Sequence, residues 1–110
     1  KNILKKRFFL KNEIKFSKSS FDTFIFRVDK KELRLKIIKY LRKTDIGIKN
    51  VPDAIKWHFA SFWKHAVSKK QIKSIVKSKK QIEKFVAIPI LLKKSERIYK
   101  NLAEEILSIR

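Results

Sequence analysis

The 110 residues suffice for one domain with a core of modest size, and an apolar content of 44% argues against global disorder. The absence of cysteine excludes disulfides, iron–sulfur clusters and Cys-ligated zinc and fits a reducing, cytoplasmic setting; no apolar run approaches the ~20 residues that span a bilayer, so no membrane partner is expected. A formal charge of +20, from 30 Lys and Arg against 10 Asp and Glu, brings nucleic acid or another polyanion into consideration.

The chain opens with Lys1 to Lys15, where apolar and basic residues mix without a clean period and the apolar pieces are too short for a signal peptide. Residues 1–20 read as a lead-in, with Ser17-Lys18-Ser19-Ser20 as a loop, and 21–110 as the domain. Phe21 to Val28 alternates as a strand, with Phe24, Phe26 and Val28 on one face and Thr23, Ile25 and Arg27 on the other. Asp29-Lys30-Lys31-Glu32 has the form of a capping box and opens a helix whose Leu33, Ile37, Ile38 and Leu41 recur at helical spacing. Asp45-Ile46-Gly47 ends that region, with the single glycine supplying a positive φ.

Ile48 to Val51 reads as a short strand, followed after Pro52 by an aromatic stretch. Beyond it, Ser68-Lys69-Lys70-Gln71-Ile72 and Ser78-Lys79-Lys80-Gln81-Ile82 form a near-repeat, and each copy has a Ser-x-x-Gln capping pattern. A ten-residue step rotates a helix by about −80°, so the pattern predicts two short helices with a break near Ser78. Phe85 to Leu92 is a continuous apolar run and reads as a buried strand, in which Pro89 calls for a sheet edge or a bulge. Ser95 is placed to cap a last helix with Ile98, Leu102, Ile106 and Ile109 in one stripe. The order implies an α+β unit, a small sheet with helices packed on it.

The residues best suited to chemistry are gathered between Asn50 and His65, which holds both tryptophans, both histidines and one of the two prolines. His58 and His65 are seven apart and on a helix would share a face, but a metal site lacks the usual i, i+4 pair and a second carboxylate. One glycine cannot form a phosphate loop, and no serine stands in a Gly-x-Ser-x-Gly turn. Trp57, Phe59, Phe62 and Trp63 are suited either to stacking on a flat ligand or sugar ring or to packing in the core.

Gly47-Ile48-Lys49-Asn50-Val51-Pro52-Asp53-Ala54-Ile55-Lys56-Trp57-His58-Phe59, the later Trp63-Lys64-His65, and Phe85-Val86-Ala87-Ile88-Pro89-Ile90 resemble the C-terminal part of the DegT/DnrJ/EryC1/StrS sugar aminotransferases. The resemblance covers about residues 21 to 110 and implies the C-terminal small domain of a fold-type I, pyridoxal-phosphate (PLP) dependent transferase. Such enzymes move an amino group, usually from glutamate, onto a keto-sugar that is commonly nucleotide-linked, and they work as homodimers. The resemblance further implies that the lysine holding PLP and most phosphate contacts belong to a large N-terminal domain, leaving no catalytic residue here. It assigns Lys49, Asn50, Trp57, His58 and His65 to the substrate side. The family pattern Gly-Ile-Gly-Thr before Lys49 is replaced by Asp45-Ile46-Gly47-Ile48, which removes a glycine and a hydroxyl. The lack of methionine marks Lys1 as no translation start, so a piece of a longer protein is expected, cofactor-free by itself.

The other reading is a stand-alone basic module for RNA or another polyanion. Against it stand the preference for Lys over Arg, 24 to 6, and the spread of lysines over almost every segment.

Overall fold

Phe26 is fully buried in a strand whose other face is half-buried or exposed, and the fold is organised around that one-sided surface. The computed structural model describes residues 2–10, 15–16, 18, 22–49 and 51–110. In chain order the elements are α1 (Asn2–Lys5), β1 (Phe9–Leu10), β2 (Thr23–Arg27), α2 (Lys31–Leu41), α3 (Ile55–His58), a 3-10 turn (Ala60–Phe62), α4 (Lys69–Ser74), α5 (Val76–Ile82), β3 (Phe85–Pro89) and α6 (Glu96–Ser108). The three strands form one antiparallel sheet in the order β1-β2-β3. The α+β architecture expected from the sequence is therefore present.

The β2–β3 register sets Phe24 opposite Ile88 and Phe26 opposite Val86, while Leu10 of β1 lies opposite Phe26. Against this face pack Ile37, Ile38 and Leu41 of α2 and Leu102, Ala103 and Ile106 of α6. Phe26, Val28, Ile37, Leu41, Val86 and Ile106 are all fully buried, each contributing about 1.5–3 kcal/mol of hydrophobic stabilisation. Ile25 points to the other face and remains exposed, as the alternation predicts.

The leading segment joins the same core. Leu4, Phe8 and Leu10 are buried in it, α1 lies against α6, and β1 extends the sheet. Arg7 Nη1 donates to the carbonyls of Leu107 and Ile109, both at 2.7 Å, and so satisfies carbonyls that the end of α6 leaves without intrahelical donors. The expected loop at 17–20 lies outside the described residues except for Lys18, as does Phe21.

Several local expectations are corrected. Lys30, with extended backbone and no side-chain cap, precedes α2. The Asp29 carboxylate accepts instead from Lys84 at 3.0 Å and Arg27 at 3.2 Å, because cationic donors outcompete a neutral backbone N–H. Ser95 holds the N-cap position of α6 without a side-chain hydrogen bond. Ile98 is exposed and Ile109 follows the helix, so the buried stripe is Leu102, Ala103 and Ile106, with Tyr99 half-buried beside it. The capping box at Ser68–Gln71 does form, but Ser78 lies inside α5 and the break falls at Ile75. β3 stops at Pro89, which lies on a strand at the end of the sheet order, and Leu92 is wholly exposed.

Gly47 has φ +68°, as its position in the turn after α2 requires. An added Cβ would meet no atom within 4 Å, so a substitution there changes backbone energy alone. Gly47→Ala is expected to lower stability by about 1–2 kcal/mol, the cost of left-handed backbone for an L-residue, read as a fall in urea midpoint; Gly47→Asn is expected to lose less. A second expectation concerns acid. Lys84's hydrogen bond, and the positive charge of Arg27, hold the Asp29 carboxyl below its ordinary value of 3.8, against an opposing desolvation. A lowered folded-state pKa means that the unfolded chain binds the extra proton, so this stabilisation exists above about pH 4 and is lost as pH falls further. The stability difference between the native chain and Asp29→Asn should be present at pH 6 and vanish toward pH 2 in urea titrations.

Candidate functional site

The outer edge of β3 is occupied by the loop that follows Gly47. Lys49 N–H donates to the Ala87 carbonyl at 2.9 Å, and Ala87 N–H donates to the Val51 carbonyl at 3.1 Å. Both hydrogen-bonding groups of Ala87 are thus used, although the described residues of 48–51 form no strand, in place of the short strand expected there. The pairing is pinched, since Val51 N–H turns back to the Lys49 carbonyl. The Val51–Pro52 peptide is cis. Lys49 is half-buried at this edge, with its ammonium 2.7 Å from an Asp22 carboxylate oxygen.

The chain then leaves the core. α3 lasts one turn, ends at His58, and passes through extended Phe59 into the 3-10 turn. Three contacts hold this arm. Asp53 pairs with Arg42 just after α2. Trp63 Nε1 donates to the Trp57 carbonyl at 3.0 Å, closing the turn. Lys79 Nζ stands 4.7 Å from the centre of the Phe62 ring, a cation–π contact that ties the turn to α5.

Trp57 is 78% exposed and Trp63 38%, and neither belongs to the core cluster. Phe59 and Phe62 are half-buried. The core-packing alternative therefore does not describe the two tryptophans. His58 and His65 are both exposed, and because α3 ends at His58 they share no helix face. Asn50 lies outside the described residues. Trp57 and Trp63 are brought together, whereas no hydrogen bond or ion pair among the described residues joins Lys49, His58 and His65 to one another. Nor does any group of three or more His, Asp or Glu among those residues stand close enough to hold a metal ion.

Sequence reasoning did not anticipate the polar frame of this arm, Asp22, Arg42 and Lys79. Their partners lie 27, 11 and 17 positions away, and no local pattern signals such pairs. It also passed over Ser61, the buried residue of the 3-10 turn, whose hydroxyl has no hydrogen-bond partner among the described residues.

Comparison with known proteins adds no relative: no family model, no curated protein and no solved structure matches this chain.

An unpaired buried hydroxyl costs about 1–3 kcal/mol in desolvation, so removing it relieves a penalty. Ser61→Ala is expected to keep the urea midpoint or raise it by about 1 kcal/mol of stability. A clear loss would reveal a partner for the hydroxyl.

Proposed function

We propose that this chain is the C-terminal small domain of a PLP-dependent aminotransferase of the DegT/DnrJ/EryC1/StrS type. The parent enzyme acts in the cytoplasm on a nucleotide-linked keto-sugar for surface-polysaccharide or amino-sugar synthesis, with glutamate as amino donor and a homodimer as the working form. The observation that carries the reading is the exposure of Trp57, Trp63, His58 and His65. Residues held outside the core gain nothing from packing, and a resemblance motif whose versatile side chains face outward is suited to meeting a substrate and a second domain. The order β2, α2, the Gly47 turn, the aromatic arm, β3 and α6 agrees with the order that the resemblance implies.

PLP itself does not fit the residues present. Its chemistry needs a desolvated lysine and a cradle for its phosphate. No lysine is buried among the described residues, and the single glycine builds no Gly-rich loop. In this reading the cofactor is held by residues outside these 110, and the chain contributes the closing face. Lys49 supplies a cation for an anionic group on the substrate, exchanging its Asp22 carboxylate for it. Trp57 offers a flat apolar surface to a sugar ring, and His58, His65 and the Asn50 amide offer hydrogen bonds.

The test is expression of the chain alone and together with the coding sequence preceding Lys1, followed by measurement of visible PLP absorbance and amino transfer from glutamate. The longer protein alone is expected to bind PLP and transaminate. Within it, His58→Ala or His65→Ala should lower kcat/KM about tenfold, the loss of one good hydrogen bond, with PLP absorbance unchanged. A longer protein that binds no PLP would overturn the reading.

A further inference from the structure

The stripe that α6 turns toward the sheet is thinnest at Ala103. Tyr99, Leu102, Ala103 and Ile106 stand at i, i+3, i+4 and i+7 and so share one face of the helix. Ala103 gives that face only a methyl group, and the sheet supplies Phe24 and Ile88, partners across β2 and β3. Between the two layers remains a cavity of about 100 Å3, completed by Leu4 of α1 and by Ile90 just beyond β3. Leu4, Ile88, Leu102, Ala103 and Ile106 are buried, whereas Phe24, Ile90 and Tyr99 are half-buried, so the cavity opens on the side of those three. None of its lining residues belongs to the aromatic arm.

No charged side chain lines this cavity, and its one polar side-chain atom is already engaged. Tyr99 Oη accepts from the Leu91 N–H at 2.7 Å and donates its only proton to the Pro89 carbonyl at 3.2 Å. A water held there would need roughly two to four polar partners, which the lining side chains do not supply. An apolar guest needs none, and it restores the dispersion contacts that the walls of an empty cavity forgo. An apolar cavity of about 150 Å3 takes benzene, so this one, two-thirds as large, takes about four carbons.

The backbone groups beside Tyr99 at the opening are also taken. Leu91 N–H and the Pro89 carbonyl bond to its hydroxyl, and Ile90 N–H donates to the Asp22 carbonyl at 2.8 Å. They offer no hydrogen bond to an incoming polypeptide, which favours a guest that asks for none. The open side lets the remainder of a longer chain pass out to solvent. We propose that this cavity binds the end of an alkyl or acyl chain, enclosing about four of its carbons.

The experiment is titration of the full chain with the straight-chain alcohols from ethanol to octanol, followed through methyl resonances in NMR spectra. Saturable shifts are expected at Ile88, Leu102, Ala103 and Ile106. Affinity should rise about fourfold with each methylene as far as butanol, then level off through octanol as further carbons remain outside. Ala103→Val adds two carbons to the wall and should move the break to chains about two carbons shorter, with circular dichroism showing that the variant is folded. Leu92→Ser alters a wholly exposed apolar residue outside the cavity and should change affinities by less than about twofold. An unbroken rise through octanol, or shifts centred on Leu91, Leu92 and Ile98, would mean adsorption to the exposed surface and overturn the cavity as the site. Affinity that falls beyond butanol would show that only whole short molecules enter, overturning the assignment to the end of a longer chain. Should Ala103→Val not fold, the break in the native series still decides.

Discussion

The pairing of β2 with β3 is the constraint on which the rest of the structure depends. It brings Phe24 and Phe26 beside Ile88 and Val86 and so creates the surface on which α2 and α6 bury their apolar stripes. Everything from Val28 to Lys84 is the connection between the two strands. The entropy of closing a connection grows only logarithmically with its length, so adding residues to it costs little. The core makes little demand on the later part of that connection. From Arg42 to Lys84, Ile46 is the one buried apolar residue described, with Ile48 packed partly against it. The aromatic arm and the lysine-bearing helices are carried by the fold without being required by it.

The division between required and carried residues also explains what the sequence disclosed. Phe24, Phe26 and Val28 alternate because one sheet face is wet and the other dry, and Ile37, Ile38 and Leu41 recur because one helix face is dry; both periods follow from burial. Gly47 was legible for a different reason, since only a residue without Cβ enters left-handed backbone freely. Failures occurred where long-range contacts decided the outcome. Asp29 has the spacing of a cap, yet Lys84, 55 positions away, claims its carboxylate. Leu4, Phe8 and Leu10 enter the core from a segment in which apolar and basic residues mix without a readable period.

For the candidate site, composition located the right segment but not its arrangement. The crowding of tryptophans and histidines between Asn50 and His65 singled out an arm that leaves the core. The seven-residue interval between the histidines carried no geometric meaning, because the helix that would have given it one ends at His58. Charge was misleading in the opposite direction. Counting lysines suggested an even coat, whereas the carboxylates are unevenly spread, with none between Asp53 and Glu83 to offset the eight lysines of that interval.

The cover that the 49–51 loop places over Ala87 has one more effect. A sheet with free backbone groups along its margin is a template on which further copies can polymerise. On the β3 side that template is closed, because both hydrogen-bonding groups at the middle of the strand are spent on Lys49 and Val51. Copies carrying a charge of +20 also repel one another. A chain rich in Ile, Leu and Phe is thereby guarded against strand addition at its β3 margin by geometry, with electrostatic repulsion opposing the encounter itself.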